Sequence, residues 1–306
     1  MALTSSLCDL FALQSDTVCL MVETQNQSKI GIVIPVYNGQ EDIEKAIQSV
    51  LRQTSPPDSF VIFDNKSTDQ TPKILSKYSA TPGVRIITSD VHHAAMADSW
   101  NAAVQQIDTD WFLLMSADDI LRDRAIATFR RHLDGPHAAL AMLSEEIDAD
   151  GKLTLGKFSS GGSRLIEGKQ LVLSNLHRSS INVASVIVRK QSWIDAGGYP
   201  AEYRYWHDMV FWQRLAHLGG VLKVNEVVAR YRIDSSGEKS ARRAEAIELD
   251  RTKYYEIEVP ELRKRWSIDD EASNSGFSVQ ARFRRALVLL ASKVKVLLYI
   301  MRIDKW

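Results

Sequence analysis

Residues 29–64 read KIGIVIPVYNGQEDIEKAIQSVLRQTSPPDSFVIFD and contain two apolar runs on either side of an amphipathic segment. The first run ends at Pro35 and Asn38, and the second ends at Asp64. A short continuous apolar run predicts a strand that is buried on both faces, as in a parallel sheet. The segment between the runs carries apolar residues at helical spacing, namely Ile43, Ala46, Ile47, Val50 and Leu51. The stretch therefore predicts a strand, a helix and a second strand.

The same alternation continues along the first half of the chain. Further short strands are predicted at 83–88, 111–115 and 137–143, with helices at 94–107 and 122–133 between them. Repeated strand–helix units join through right-handed crossovers, which predicts the α/β class with a mostly parallel sheet flanked by helices. Ligands bind at the carboxyl ends of the strands in such sheets, so the segments that follow the strands form the candidate site.

Local signals predict three more elements. Ser67 and Gln70 form an S-x-x-Q capping box, which predicts a helix that runs to about Tyr78. The stretch HDMVFWQRLAHLG at 207–219 predicts a helix that ends at a Gly-Gly pair. The stretch GVLKVNEVVARYRI at 220–233 predicts a pair of strands.

No linker, repeat or low-complexity tract divides the chain. We expect an N-terminal extension at 1–28, one continuous domain at 29–236 and a helical C-terminal appendage at 237–306. The appendage contains a basic and apolar stretch at 281–303, which two lysines interrupt, so we do not expect it to span a bilayer. This stretch is expected either to lie on an anionic membrane surface or to pack as a helix on the core.

Composition narrows the classes of function. The 306 residues include 38 Lys and Arg and 38 Asp and Glu, so the formal net charge is zero and no overall field attracts nucleic acid. Cys8 and Cys19 are too few for a disulfide scaffold and lie in no zinc-binding pattern, which agrees with a cytoplasmic location. The first residues lack the basic region of a signal peptide.

Five segments in a fixed order carry a family resemblance. They are VIPVYNGQEDIEKAIQSVLRQT (33–54), VIFDNKSTDQT (61–71), WNAAVQQIDTDWFLLMSADDIL (100–121), GGY (197–199) and HDMVFWQRLAHLG (207–219). Together they resemble the family 2 glycosyltransferases with the GT-A fold, over about two thirds of the chain. The resemblance implies a metal-assisted enzyme that moves a sugar from a nucleotide diphosphate donor to a hydroxyl group, with inversion at the anomeric carbon.

The resemblance assigns the donor nucleotide to the ends of the first strands. Asp64 is expected to accept a hydrogen bond from the nucleobase, and its alternative role is to hold the turn before Ser67. Tyr37 is expected to pack against the base. Lys66 stands where many members of the family have Gly. The predicted donor nucleotide-binding residues are Pro35, Tyr37, Asp64, Asn101 and Ser116.

Asp118 and Asp119 resemble the metal-binding D-x-D region of the family. Mg²⁺ and Mn²⁺ choose carboxylate and phosphate oxygens, and either cation offsets the charge of a diphosphate leaving group. Ser116 replaces the first Asp, so the motif reads S-x-D and Asp118 remains as the expected direct ligand, with Asp119 beside it. The alternative role of these acids is to cap the helix near Arg122.

Asp208 lies in the first turn of a predicted helix, where the resemblance implies the general base that deprotonates the acceptor hydroxyl. Arg214 matches an Arg of the family pattern, and His207 replaces a Glu. We expect His207 to be a neighbour of the site rather than the base. The alternative role of Asp208 is that of a first-turn acid stabilised by the helix dipole and paired with Arg204.

A diphosphate partner is predicted near the end of the domain. The family often carries Tyr-Arg-x-His here, and this chain has Asp234 in place of the His. Because a carboxylate repels phosphate, Arg232 and Lys239 are the predicted diphosphate partners. A surface position is favoured for His92 and His93, which follow the third strand.

The sequence therefore predicts a glycosyltransferase that acts on a glycan or lipid-linked acceptor in surface polysaccharide or glycolipid biosynthesis. The main alternative is a catalytically impaired GT-A-like binding or scaffold protein, which Ser116, His207 and Asp234 favour. A dinucleotide-dependent oxidoreductase needs a glycine-rich turn after the first strand, where only Gly39 occurs. A nucleotidyltransferase usually has a glycine-rich and basic phosphate loop near the start, which is missing.

Overall fold

A computed structural model describes residues 28–156, 163–177, 179, 181–233 and 246–268 of the chain. The strands are β1 (Ile30–Val36), β2 (Ser59–Asp64), β3 (Val84–Thr88), β4 (Trp111–Leu114), β5 (Ile120–Leu121), β6 (Ala139–Ile147), β7 (Leu153–Gly156), β8 (Arg164–Ile166), β9 (Val186–Arg189) and β10 (Val221–Arg232). The helices are α1 (Ile43–Leu51), α2 (Thr71–Ser76), α3 (Met96–Gln105), α4 (Ala125–Arg130), α5 (Gly168–Ser174), α6 (Lys190–Asp195), α7 (His207–Arg214), α8 (246–253) and α9 (Val259–Trp266).

The strands form one mixed sheet in the order β3-β2-β1-β4-β9-β6-β10-β5, with β7 beside β6 and β8 beside β10. The strands β1 to β4 pair in parallel, as the strand–helix alternation predicts. The strand β9 then enters between β4 and β6 and is antiparallel to both. The mostly parallel sheet of the sequence prediction is therefore correct for the first half of the chain and becomes mixed in the second half.

The continuous apolar run of β1 is explained by burial on both faces of the sheet. Ile32 and Ile34 pack into a layer with α1 and α4, whereas Val33 packs into the opposite layer with α3. All three side chains are completely buried. Full burial of such a side chain contributes about 1.5–3 kcal/mol. This interior strand thus packs against both helical layers.

Two local predictions are wrong. The predicted capping box is absent, because the Ser67 hydroxyl accepts a hydrogen bond from the backbone N–H of Asn38, and Asp69 accepts one from the N–H of Thr71 at the start of α2. The predicted strand pair at 220–233 is the single strand β10. This strand continues through its middle because it pairs with β6 on both sides of a shift in register.

The C-terminal helices pack against the domain. Tyr254, in the π-helical turn Tyr254–Glu258 after α8, and Val259 of α9 share a buried cluster with Tyr203, Met209 and Val210, so this turn and α9 support the segment that carries α7. Residues 246–266 of the predicted appendage form helical structure. The stretch 281–303 lies outside the described residues. None of the helices in the described ranges has the length and apolarity needed to cross a membrane.

The backbone angle of Lys66 explains why glycine suits this position in the family pattern. Its φ angle is +65°, in the left-handed region that costs most non-glycine residues about 1 kcal/mol or more. We predict that Lys66→Gly raises the free energy of unfolding by about 1 kcal/mol, measured by urea denaturation. Lys66→Ala is the control, because it removes the contact from Nζ to the Asp90 carbonyl but keeps the strained angle. A Lys66→Gly variant no more stable than Lys66→Ala would contradict this explanation.

Candidate active site

An open cleft of about 1320 Å³ lies at the carboxyl ends of β1, β2 and β4. The loops after these strands form one side of the cleft, and the start of α7 and the end of β10 form another part of its wall. The structure brings seven of the predicted site residues together here, namely Pro35, Tyr37, Ser116, Asp118, Asp119, Asp208 and Arg232. The cleft therefore lies at the edge of the sheet that the topology predicts for a ligand site.

The segment Ser116–Asp119, here called the acid loop, follows β4 and holds its two acids in different surroundings. Asp118 is exposed to the cleft, whereas Asp119 is only 2% exposed. Asp119 Oδ1 accepts a hydrogen bond from the backbone N–H of Arg232 at 3.1 Å, and the Ser116 hydroxyl also favours the charged carboxylate. Burial and the nearby charge of Asp118 nevertheless hold the pKa of Asp119 well above its usual value.

The acid loop has the donor chemistry of a divalent cation site. Asp119 Oδ2 is buried and has no hydrogen-bond partner within the described part of the chain, and the Asp118 carboxyl group faces the cleft. No group of three potential metal ligands occurs among the described residues. Mg²⁺ is commonly held by one or two carboxylates together with substrate phosphates and water. The acid pair therefore fits a hard cation that takes its other ligands from phosphate oxygens and water.

Arg232 connects the acid loop to the turn after β6 and to the residue before α1. Its guanidinium donates hydrogen bonds to the carbonyls of Asp118, Asp148 and Ala149 at 2.7–3.1 Å. Arg232 Nη2 also lies 3.3 Å from the carboxylate of Asp42, at the start of α1. Four of the five N–H donors of a guanidinium are thus directed at protein groups. This geometry favours a positioning role over the predicted contact with the diphosphate.

Tyr37 and His92 mark the end of the cleft beside β1 and β2. Their ring centroids lie 4.3 Å apart, and the Tyr37 side chain is half-exposed. Asn65 fixes the loop behind them, because its amide donates to the carbonyl of His93 and accepts from the N–H of the same residue. Both histidines line the cleft. His92 is exposed and His93 is partly buried, so the surface position that the sequence favoured for this pair is compatible with their place in the cleft wall.

Asp64 lies at the end of β2 and is buried. Its Oδ1 accepts a hydrogen bond from the backbone N–H of Ser67 at 3.0 Å. The turn-holding role that the sequence analysis named as the alternative is thus present in the structure. Because one carboxylate can accept several hydrogen bonds, the predicted contact with a nucleobase stays a prediction.

Asn101 on α3 connects this helix to the GGY segment at 197–199. Its amide donates to the carbonyl of Tyr199 and accepts from the N–H of Tyr199, both at 2.8 Å. Gly198 has a φ angle of +73°, and a Cβ atom there would lie 2.8 Å from Asn101 Oδ1. The GGY segment therefore needs glycine so that Tyr199 can reach Asn101. This arrangement favours a structural role for Asn101 over the predicted contact with the donor.

Asp208 faces the cleft from the first turn of α7. Its removal from water raises the pKa of the carboxyl group to about 6. Hydrogen bonding to the N–H of Met209 at 2.7 Å and to the hydroxyl of Ser179 limits this rise. Asp208 is therefore a carboxylate that can accept a proton near neutral pH. Its pairing with Arg204, which the sequence left open, is replaced by these neutral donors.

Asp250 on α8 holds the chain that leads into α7. This carboxylate is only 6% exposed, and its Oδ2 accepts hydrogen bonds from the backbone N–H groups of Tyr205 and Trp206. These N–H groups immediately precede His207 and Asp208. The sequence analysis missed Asp250, because its distance from Asp208 along the chain gives no local signal of the contact. Lys239 and Asp234 lie outside the described residues.

The family assignment rests on the first half of the chain. Residues 31–173 match the profile of Glycosyl transferase family 2, which spans β1 to α5 and includes the acid loop. This region of the chain is a family 2 glycosyltransferase region. The predicted family is thus confirmed, and α7, α8 and α9 of this glycosyltransferase family member lie beyond the matched residues.

Relatives of this family 2 chain include named polymer-modifying enzymes. The poly(ribitol-phosphate) beta-N-acetylglucosaminyltransferase TarS of Staphylococcus aureus is 23% identical over 117 residues, which cover 38% of this chain and 20% of TarS. The poly(ribitol-phosphate) beta-glucosyltransferase of Bacillus spizizenii is 32% identical over 101 residues, which cover 32% of this chain and 16% of that protein. An uncharacterised protein of Mycobacterium tuberculosis is 25% identical over 197 residues, or 61% of each chain. The matches thus span less than two thirds of each of these relatives.

Solved structures share the fold. TarS in complex with UDP superposes with a TM-score of 0.56 at 16% identity, covering 67% of this chain and 61% of that one. The mannosyltransferase PcManGT of Pyrobaculum calidifontis, in complex with GDP-Man and Mn²⁺, superposes with a TM-score of 0.53 at 14% identity. This second likeness covers 95% of this chain and 88% of PcManGT. The predicted GT-A fold is therefore confirmed.

We predict that Asp250→Ala lowers the free energy of unfolding by about 1–3 kcal/mol, because it leaves two N–H groups without their acceptor. Asp250→Asn keeps one acceptor oxygen and should lose less. Urea denaturation measures both, with Glu248→Ala as the control, since Glu248 lies on α8 in an exposed ion pair with Arg251. Equal stabilities of Asp250→Ala and Glu248→Ala would show that Asp250 does not hold the segment before α7.

Proposed function

We propose that this family 2 member transfers a sugar from a nucleotide diphosphate donor to a hydroxyl group of an acceptor. The observation that carries the proposal is the placement of Asp208. Its carboxylate lines the same cleft as the acid loop, and burial raises its pKa to about 6. A general base works best when its pKa lies near the operating pH. The cleft therefore combines a proton acceptor with a binding place for a charged leaving group.

The donor would lie along the cleft with its nucleobase near Tyr37 and its diphosphate at the acid loop. The half-exposed ring of Tyr37 offers an aromatic face to a base. Asp118 and Asp119 would hold Mg²⁺ or Mn²⁺, which offsets the negative charge of the departing diphosphate. Arg232 keeps both acids in place through its bonds to the backbone and to Asp42.

Asp208 would act on the acceptor. As the acceptor oxygen attacks the anomeric carbon, Asp208 takes the hydroxyl proton. The new bond joins the acceptor oxygen to the anomeric carbon, and the bond from that carbon to the diphosphate breaks and releases the nucleoside diphosphate. Attack from the side opposite the leaving group inverts the anomeric carbon. The N–H of Met209 and the hydroxyl of Ser179 hold the carboxylate for this step.

The names of the relatives support a cell-surface polymer as the acceptor of the sugar. Two of them are named as transferases that act on poly(ribitol-phosphate). We extend this to the proposal that the acceptor is a surface glycan, a polyol phosphate polymer or a lipid-linked precursor. Membrane contact through 281–303 and a cytoplasmic location stay predictions.

A donor screen tests the proposal against the alternative of a binding protein without catalysis. UDP-GlcNAc, UDP-glucose, GDP-mannose and dTDP-rhamnose are each incubated with the full chain and Mn²⁺, with and without ribitol phosphate oligomers. Release of the nucleoside diphosphate, by transfer or by hydrolysis, is measured. Turnover of at least one donor supports the enzyme. Tight binding of a donor with no turnover would favour the binding protein.

The pH dependence of turnover should follow Asp208. Because the base must be deprotonated, kcat/KM should fall tenfold per pH unit below a midpoint near pH 6. We predict that Asp208→Asn lowers kcat by about 10²–10⁴-fold and leaves donor binding unchanged. Asp98→Asn is the control, since it makes the same change in the first turn of α3. If Asp208→Asn kept more than about a tenth of wild-type turnover, another group would be the base.

A further inference from the structure

Trp212 follows the proposed base by one turn of α7 and lies on the same side of that helix. Residues four positions apart on a helix are neighbours, and a long side chain leans back towards the turn before it. The Trp212 side chain is completely buried, and its ring packs at steep angles against the rings of Tyr199 and Phe211. The indole is thus held in one place beside Asp208, on the inner side of the cleft wall.

The indole nitrogen of Trp212 is buried and can only donate a hydrogen bond. Its N–H faces the Asp208 carboxylate, where it favours the charged form of the acid. This contact falls short of a well-formed hydrogen bond, and no other group in the described ranges offers the N–H one. Hydrogen bonds of catalytic groups often tighten only in the complex with substrate. Since a phenyl ring would pack here without the cost of an unpaired donor, the N–H indicates a role towards Asp208.

The hydrogen bonds that favour the ionised form of Asp208 come from neutral donors. Among the titratable groups around it, Tyr199 stays protonated, because burial and the charge of Asp208 raise the pKa of its hydroxyl far above its usual value. His207 stays neutral, because burial lowers the pKa of its ring to about 4. Asp250 accepts two backbone N–H groups of the segment before α7, and its charge acts on His207. The N–H of Trp212 is therefore placed to influence how easily Asp208 carries a negative charge.

We propose that Trp212 is a positioning residue for the base, and that its indole N–H donates a hydrogen bond to the ionised Asp208 carboxylate. The proposal rests on the proposed function of Asp208. A charge-assisted hydrogen bond of this kind is stronger than one to a neutral group. It holds the carboxylate in its proton-accepting form, and it weakens as the carboxylate takes the acceptor proton. The base is thus ionised over a wider pH range than its burial alone allows.

Two variants of the full chain test this role in turnover of the donor that wild type uses. Trp212→Phe keeps an aromatic ring but removes the N–H. Trp193→Phe is the matched control, because Trp193 on α6 is also buried, has an indole N–H without an acceptor among the described residues and packs against Phe112. Both substitutions shorten a buried ring, so both variants should melt earlier than wild type.

We expect the acid limb of kcat/KM in Trp212→Phe to move up by about one pH unit, which is the loss of one hydrogen bond to a charged group. The variant should then be about fivefold slower than wild type at pH 6 and close to wild type at pH 8. The donor KM should stay at the wild-type value. Trp193→Phe should keep the wild-type pH profile.

A pH titration of the indole ¹H–¹⁵N resonances of the full chain tests the contact without turnover. We expect the Trp212 resonance to shift with a midpoint near pH 6, where Asp208 ionises, and to stay fixed in Asp208→Asn. The resonance that is missing from Trp212→Phe belongs to Trp212. If that variant does not fold, Trp100→Phe and Trp206→Phe identify the two other indoles near the start of α7.

The opposite results are distinct from failure of the proposed function. A Trp212 resonance that does not titrate near pH 6, or that titrates equally in Asp208→Asn, would overturn the contact. A Trp212→Phe variant that is slower by the same factor at every pH would show a structural role only. A wild type that turns over no donor at all refutes the proposed function of Asp208, and the indole titration then still decides whether the two side chains are in contact.

Discussion

The guanidinium of Arg232 is the constraint on which the cleft depends. It lies at the end of β10. It donates hydrogen bonds to the acid loop after β4 and to the turn after β6, and it forms an ion pair with Asp42, the residue before α1. Three separate segments of the chain are thus held together by contacts with one guanidinium group. Because buried polar groups are costly when a partner is lost, this arrangement holds Asp118 and Asp119 in one geometry. The rest of the site is built around that fixed floor, with the aromatic pair Tyr37 and His92 at one end and α7 in the wall.

Much of the fold could be predicted because the local pattern of apolar residues indicates which segments are buried. The apolar run of β1 is buried on both faces, and the alternation of strands and helices predicts the parallel half of the sheet. The pattern could not predict β9 between β4 and β6, since strand pairing across distant segments has no local signature. Ser67 was misread for the same reason, because its hydroxyl bonds to Asn38, almost thirty residues away along the chain, rather than capping α2.

The candidate site was predictable where acids follow strands or begin a helix, as with Asp118 and Asp208. It was not predictable where a polar side chain can form hydrogen bonds either with a ligand or with backbone groups of the protein. Asn101 bonds to Tyr199 and Arg232 bonds to three carbonyls, although both looked available for the donor. Asp250 was missed because it reaches α7 from a helix beyond the residues that match the family. Tertiary contacts, rather than residue type, decide these roles.

Binding of a nucleoside diphosphate to the acid loop is the central claim, and isothermal titration calorimetry tests it most directly. UDP, GDP and dTDP are titrated into the full chain with Mn²⁺ or with EDTA. We predict that at least one binds only with Mn²⁺, that Asp118→Asn weakens it by more than about tenfold, or 1.4 kcal/mol, and that Asp123→Asn, an exposed acid shortly after the acid loop, does not. Equal affinity in Asp118→Asn and wild type, or binding that ignores the metal, would contradict the account.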